Sequence, residues 1–459
     1  MKHVFFFAAF CIVSFAHAQT YYWVGNGGNW TDLSHWATSS GGTQFHTTLP
    51  GATNDVVFDQ NSFSTTGQIV QIDLNAVTCR DFVIAGTLFA PHLNSTGFYD
   101  ELRIHGSIHA DSSMTRSLNI VRMFADEPAE INTGNLRLSQ NGFLRIEGSG
   151  PFSLNDSLSI ANVYIFEGSF YSNGNAINAH QRVWLFPQGN LTVDFGASNI
   201  YTNLWDIAPD ANLNASQTTI HYGSPTNIFN DFYGGGHAYY HVIFTGEVQL
   251  FGSNSFVLFE AMPNAEFEIE AGSTQSAAQF KLMGTAQEPI TIRSSVGGSA
   301  AFFEQSAGVV DGYFLTLRDN HASGGATFTA YNSIDLGNLN GWMLEEIQPQ
   351  TYYWVGGSGD WSDVNHWSSS SGDTADMNWP PTAIDDVVFD ANSFPAEGGI
   401  VEVDLLVANC NNLQITTVPE QVVFGQAFGG KLNVYGSIDM QNGPTYQWLE
   451  LVLLAQEPA

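Results

Sequence analysis

The chain has 459 residues, with 44 acidic against 12 basic side chains and a formal charge of -32. That balance repels nucleic acid and anionic membrane surfaces and excludes both as partners. Only 12% of residues are charged while 13% are aromatic and 45 are Gly, which excludes a disordered acidic tail and fits an all-β protein rich in tight turns.

Residues 1–18, MKHVFFFAAFCIVSFAHA, have the layout of a cleavable secretory signal. Lys2 opens it, an apolar run from Val4 to Phe15 follows, and Ala16-His17-Ala18 gives a small-x-small ending that leaves Gln19 first. A membrane span needs roughly 20 apolar residues, more than this run offers, and no later stretch reaches that length. Cys11 follows bulky Phe10, where a lipoprotein cysteine needs a small residue. The chain is therefore expected outside the cell, on the outer surface.

The mature part opens with TYYWVGNGGNWTDLSHW (Thr20 to Trp36), and the phrase returns as TYYWVGGSGDWSDVNHW (Thr351 to Trp367), identical at eleven of seventeen positions. A shift of 331 also superposes Asn54–Asp59 on Asp385–Asp390, Asn61–Phe63 on Asn392–Phe394, and Cys79 on Cys410. After one deletion, Leu102–Ile108 meets Leu432–Ile438, and ADEPA (Ala125–Ala129) meets AQEPA (Ala455–Ala459). The expected organisation is a signal over 1–18, a first unit over 19–343 with a capping segment over 19–64, a linker over 344–350, and a second unit over 351–459 cut in mid-repeat. Single thiols at matched places read as two buried small hydrophobes, not as one disulfide.

Within the first unit, alternating apolar runs predict short half-buried strands: Gln68–Leu74, Glu101–Ile108, Ser157–Phe166, Asn190–Phe195 and Phe267–Ser273. Gly86, Gly106, Gly148 and Gly168 each follow such a run and precede Ser or Thr, one turn every 20 or 21 residues. That rung-like period predicts an all-β right-handed parallel β-helix, whose coils bury apolar side chains only by stacking on their neighbours. The alternative is a β-sandwich array, which spaces strands similarly but does not call for a recurring Gly-Ser/Thr turn. Leu344–Gln350, acidic and containing Pro, reads as the linker.

Tyr-Tyr-Trp-Val-Gly, Trp-x-Asp-x-x-His-Trp, LPGATNDVVFD and the closing SGGATFTAYNSIDLGNLNGW together resemble the long repetitive surface proteins of gliding and marine Bacteroidota. The coil-like MGTAQEPITIRS (Met283–Ser294) is similar to their β-helical stretches. This resemblance implies a secreted β-helix adhesin exported by the type IX system.

Three groups of residues invite chemistry. Tyr21, Tyr22, Trp23, Trp30 and Trp36, with Tyr352, Tyr353, Trp354, Trp361 and Trp367, could stack sugar rings; their place at the start of each unit equally suits a cap over an open coil end. Asp32, Asp55 and Asp59, with Asp363, Asp386 and Asp390, offer hard oxygen ligands for calcium, the one cofactor suggested, although Asp and Asn also brace turns. His35 and His366 stand alone before a Trp, the setting of a packed, hydrogen-bonded histidine and not of a zinc ligand. No hydrolase elbow or phosphate loop occurs, and the chain is not expected to be an enzyme. The enzymatic alternative, a polysaccharide lyase or glycoside hydrolase, would need acids that stacking brings together, such as Asp206, Asp210 and Asp231. The expected role is a structural or adhesive rod touching surface polysaccharide or other extracellular macromolecules, with Tyr239 and Tyr240 as outward aromatics.

Overall fold

The computed structural model describes residues 19–454 except 96, 136–141, 224–229, 286–287, 347, 378, 406, 427–429, 441–444 and 447–449. The leader over 1–18 and the AQEPA match at 455–459 lie outside the described residues.

Alternation becomes architecture directly. In Glu101–Ile104, Leu102 and Ile104 are buried while Glu101 and Arg103 stay half-exposed. The strand lies parallel on Ile120–Met123, which lies parallel on Phe143–Ile146, partners 19 and then 23 residues further along. Inward positions thus stack into columns: Val77, Leu102, Val121, Leu144, Val163, Val183 and Trp205 form one. Cys79, Ile104, Met123, Ile146, Ile165, Leu185 and Ile207 form the next, so Cys79 serves as a small core hydrophobe, as Cys410 does in the second unit.

The result is an all-β chain with almost no helix, wound as a parallel β-solenoid of about 16 turns. Three ladders surround the core of the early coils. One runs from Asp55–Asp59 through Phe82–Ala85 to Ile108–Ala110, a second starts at Ala76–Cys79, and a third joins Gly28–Asn29, Ile69–Ile72, His92–Ser95 and Thr115–Ser117. From Leu158 the strands that continue the second ladder lengthen, to nine residues in Ile177–Leu185, and shift register between Ile160 and Asn162. The second unit repeats the three-ladder plan around its own core. A sandwich is ruled out because, among the described residues, antiparallel pairing occurs only at the start of each unit. Among those residues no helix is long and apolar enough to cross a membrane.

One expected boundary moves. Trp342–Glu345 is a strand paired with Thr327–Tyr331, so Leu344 and Glu345 close the first unit and the connection shrinks to 346–350. The strand was disguised because Met343, Leu344 and Glu345 are all exposed and only Trp342 packs against the end of the core, so no inward-outward alternation marks it.

Three of the four recurring glycines, Gly106, Gly148 and Gly168, sit where one coil's corner meets its neighbour, whereas Gly86 has a positive φ of 64° in open space. Gly168 has φ 81°, and a Cβ there would stand 2.6 Å from the Gly150 carbonyl oxygen and press on that of Gly148. Gly174 has a similar φ of 78° but open space around it. Gly174→Ala is therefore expected to cost about 1 kcal/mol from backbone conformation alone. Gly168→Ala should cost about 3 kcal/mol, because strain and collision combine. Denaturant unfolding of the two variants checks the order; equal costs would refute the close coil contact.

Candidate functional site

The twice-written aromatic phrase folds into a lid. Thr20–Trp23 pairs antiparallel with Trp36–Ala37 and parallel with Asp55–Asp59, so the chain turns back across the first coil before winding on. Trp23 stacks on His35 at 4.5 Å and meets Trp36 edge-on at 4.9 Å, while Trp36 Nε1 donates to the Trp30 carbonyl at 2.8 Å. His35 holds the Val24 carbonyl through Nδ1 at 2.6 Å. The second copy repeats this with Trp354 on His366 at 4.7 Å and Trp354 on Trp367 at 4.9 Å. Asp73 fastens the lid to the coil below by accepting from Thr31 N at 3.1 Å, and Asp404 does the same for Ser362 N at 2.9 Å.

This geometry corrects the sugar-platform expectation. Tyr21, Trp23, Trp30, Trp36, Tyr352, Trp354, Trp361 and Trp367 are each at most 2% exposed, and their ring faces are occupied by one another and by the core. A ring without a free face cannot stack a pyranose. Only Tyr22 and Tyr353, which point away from the lid, remain half-exposed. Tyr239 is likewise buried, at 1%, donating to the Gly234 carbonyl and accepting from Trp205 Nε1; Tyr240 alone of that pair faces outward, 43% exposed.

Four of the six candidate calcium ligands brace turns, and Asp55 and Asp386 are engaged by side chains of a neighbouring coil. Asp32 caps the short 3-10 turn Leu33–His35 by accepting from Ser34 N and Oγ, hydrogen bonds that hold its carboxyl below the usual range; Asp363 does the same with Asn365. Asp55 forms a two-pronged pair with Arg80 at 2.7 and 2.8 Å, and Asp386 accepts from Asn411 and Asn412 in the matching place. Asp59 and Asp390 accept from Asn61 N and Asn392 N. Among the described residues no three His, Cys, Asp or Glu side chains gather into a metal-sized group.

Outside the core, the second ladder's register assembles a strip that no single coil displays. The outward residues in one column are Arg103, Arg122, Arg145, Tyr164, Trp184, Asp206, Tyr233 and Phe251. Flanking columns add Phe124, Phe143, Phe166 and Phe186. Phe143 meets Tyr164 at 5.3 Å, Tyr164 meets Trp184 at 5.1 Å, Trp184 meets Phe186 at 5.6 Å, and Tyr233 stacks on Phe251 at 4.2 Å. Arg122 lies over Phe124, Arg145 over Phe166 and Arg182 over Trp184, at 4.8, 5.1 and 6.0 Å. Glu101 and Glu147 form ion pairs with Arg103, Arg122 and Arg145, whereas Arg182 forms no ion pair among the described residues.

At the far end of the strip, Phe186, Asp206, Ala208, Tyr233, Phe251 and Glu270 surround an open hollow of about 490 Å³. Partial burial raises the Asp206 carboxyl above the usual carboxylate range, nearby Asp231 adds to the rise, and Arg182 opposes it. Burial and the same acids also raise the Tyr233 phenol. Of the acids singled out in the sequence, stacking thus brings Asp206 and Asp231 together, while Asp210 sits on an exposed turn. Flat aromatic faces beside carboxylate acceptors and guanidinium donors are suited to a polyhydroxylated ring, the apolar side on the aromatic and the hydroxyls on the polar groups. No protein-family model, no curated protein and no solved structure matches this chain.

Lid and strip make opposite demands. Trp23→Ala should destabilise by about 3 to 5 kcal/mol as a lost core aromatic, whereas Trp184→Ala should cost about 1 kcal/mol, the scale of its edge contacts. Thermal melts of both variants check this, and a harmless Trp23→Ala would contradict the lid. Because the turn carboxylates already accept hydrogen bonds, chelator should move the melting temperature by less than roughly one degree; a drop of several degrees would assign a bound ion, since ligands of the native state alone raise stability.

Proposed function

We propose that the chain is a secreted surface rod with an adhesive role, holding glycans on the outward aromatic strip. The observation that carries this reading is the unbroken run of partly exposed rings from Phe143 through Tyr164 to Trp184, continued at Tyr233 and Phe251. Neighbouring coils are about 4.8 Å apart, so the strip offers one weak contact per coil, and weak contacts in series add through multivalency. Net charge favours neutral glycans over anionic ones. The leader-like opening and the resemblance to Bacteroidota surface repeats support export to the outer surface, with the type IX system as the proposed route.

A second reading, cleavage of polysaccharide, rests on Asp206 with its raised carboxyl beside Asp231 and Arg182. One experiment separates the two: a glycan array with the full chain, followed by incubation of any bound polysaccharide and analysis of its chain length. The adhesive reading expects retention without shortening. It also expects binding to weaken about tenfold in Trp184→Ala and in Tyr233→Ala, the loss of one stacked ring. Shortened polysaccharide that is spared by Asp206→Asn would replace adhesion with catalysis; no retention on any glycan would leave the rod a spacer and refute the binding strip.

A further inference from the structure

The two copies can be compared position by position, and they differ where they meet. In Val309–Tyr313, Val310 and Gly312 point inward, so Tyr313 points outward; yet it is only 2% exposed. It is covered from the other unit: Trp379 lies 5.2 Å from Tyr313 and 6.4 Å from Tyr331, which itself stacks on Tyr313 at 5.1 Å. Pro380, Pro381 and Leu405 of the second unit and Met262, Met283 and Phe314 of the first line a cleft of about 280 Å³ beside this contact.

The second unit's own outward column is buried in the same way. Asn409, Asn433 and Tyr435 are 6%, 5% and 5% exposed, although the core is filled by their neighbours Ala408, Cys410, Leu432 and Val434. Asn409 Oδ1 accepts from Asn433 Nδ2 at 3.2 Å and from the Tyr435 hydroxyl at 3.3 Å, so these three groups satisfy one another, while Asn433 Oδ1 is buried without a hydrogen-bond partner among the described residues. Lys431 and Asn433 line one gap with Thr285 and Glu288 of the first unit, which places a basic and an acidic side chain around the same opening.

At the equivalent positions the first copy is built for water. Thr78 stands for Asn409, Arg80 for Asn411, Arg103 for Asn433 and His105 for Tyr435; Thr48, which accepts or donates a hydrogen bond with the Tyr21 hydroxyl, stands for Trp379. Three groups that carry or can acquire positive charge are thus replaced by neutral ones, and a small hydroxyl by an indole, on the face where the second unit is covered. Burying Arg103 there unpaired would be costly, whereas Asn and Tyr can be buried once hydrogen-bonded.

We propose that this face is a dock between neighbouring copies of the repeat: the Trp379 loop and the Asn409–Asn433–Tyr435 column of one unit seat on the Tyr313–Tyr331 edge of the unit before it. Consecutive units are then locked together and do not swing on the connection over 346–350. The same outward register that carries the aromatic-arginine strip in the first unit becomes an assembly surface in the second.

The full-length chain tests this through cleavage after Glu346 by a glutamate-specific protease, alongside small-angle scattering. Trp379→Thr and Asn433→Arg each install the first copy's residue. Both are expected to speed linker cleavage about tenfold or more, since cleavage follows the population of the opened arrangement, and to enlarge the radius of gyration. Trp379→Phe should stay near the parent. Asn433→Arg leaves the core neighbours Leu432 and Val434 in place, so it reports on docking even if Trp379→Thr disturbs its loop. Unchanged cleavage and unchanged scattering in Asn433→Arg would overturn the dock, as would equal effects of Trp379→Phe and Trp379→Thr.

Discussion

Backbone hydrogen bonding from coil to coil governs this molecule. A strand such as Glu101–Ile104 finds its partners in the coils before and after, and Leu102 and Ile104 find their apolar neighbours in the same two places. No coil of about twenty residues could bury a core by itself, so each is stable only between neighbours. Two consequences follow. The first coil of each unit would expose both core and unpaired strand edge, and the aromatic lid with its antiparallel turn closes it. Outward positions, by contrast, carry no duty toward the core and can be spent on contacts with other molecules or with another unit.

The repeat itself supplies an internal control for this division of labour. Lid geometry is the same in both copies: Trp23, Trp36 and His35 are matched by Trp354, Trp367 and His366 within a few tenths of an ångström in ring separation. Positions that close a solenoid are held. The outward register, in contrast, changes from Arg103 and His105 to Asn433 and Tyr435 as its surroundings change from water to protein. One scaffold thus keeps its interior apolar, with swaps such as Phe82 for Leu413 and Ile104 for Val434, and rewrites its exterior.

How much was legible in the sequence follows from the same distinction. Alternation within a coil is local, so strands such as Leu158–Ile165 and Leu191–Asp194, and the inward set they bury, are read from the chain directly. The glycine recurrence is legible because most of these corners, at Gly106, Gly148 and Gly168, meet a neighbouring coil, and Gly86 supplies a positive φ. The lid's existence was legible from its repetition, but its burial was not, because an aromatic cluster has the same composition whether its faces point at sugar or at each other. The exposed strip was hidden for a different reason. Its members are separated by coils of unequal length, Arg103 to Arg122 to Arg145, so no fixed period aligns them, and only the hydrogen-bond register does.

In-register stacking is tested most directly by residue-resolved hydrogen exchange on Leu144→Ala, a cavity in the middle of an inward column. Faster exchange should appear in Ile120–Met123 and Asn162–Ile165, which lie directly against Leu144 on either side, and fade at Glu101–Ile104 and Arg182–Leu185, one coil further out. Faster exchange confined to the chain immediately around residue 144, with those register partners unaffected, would contradict the stacked-coil architecture.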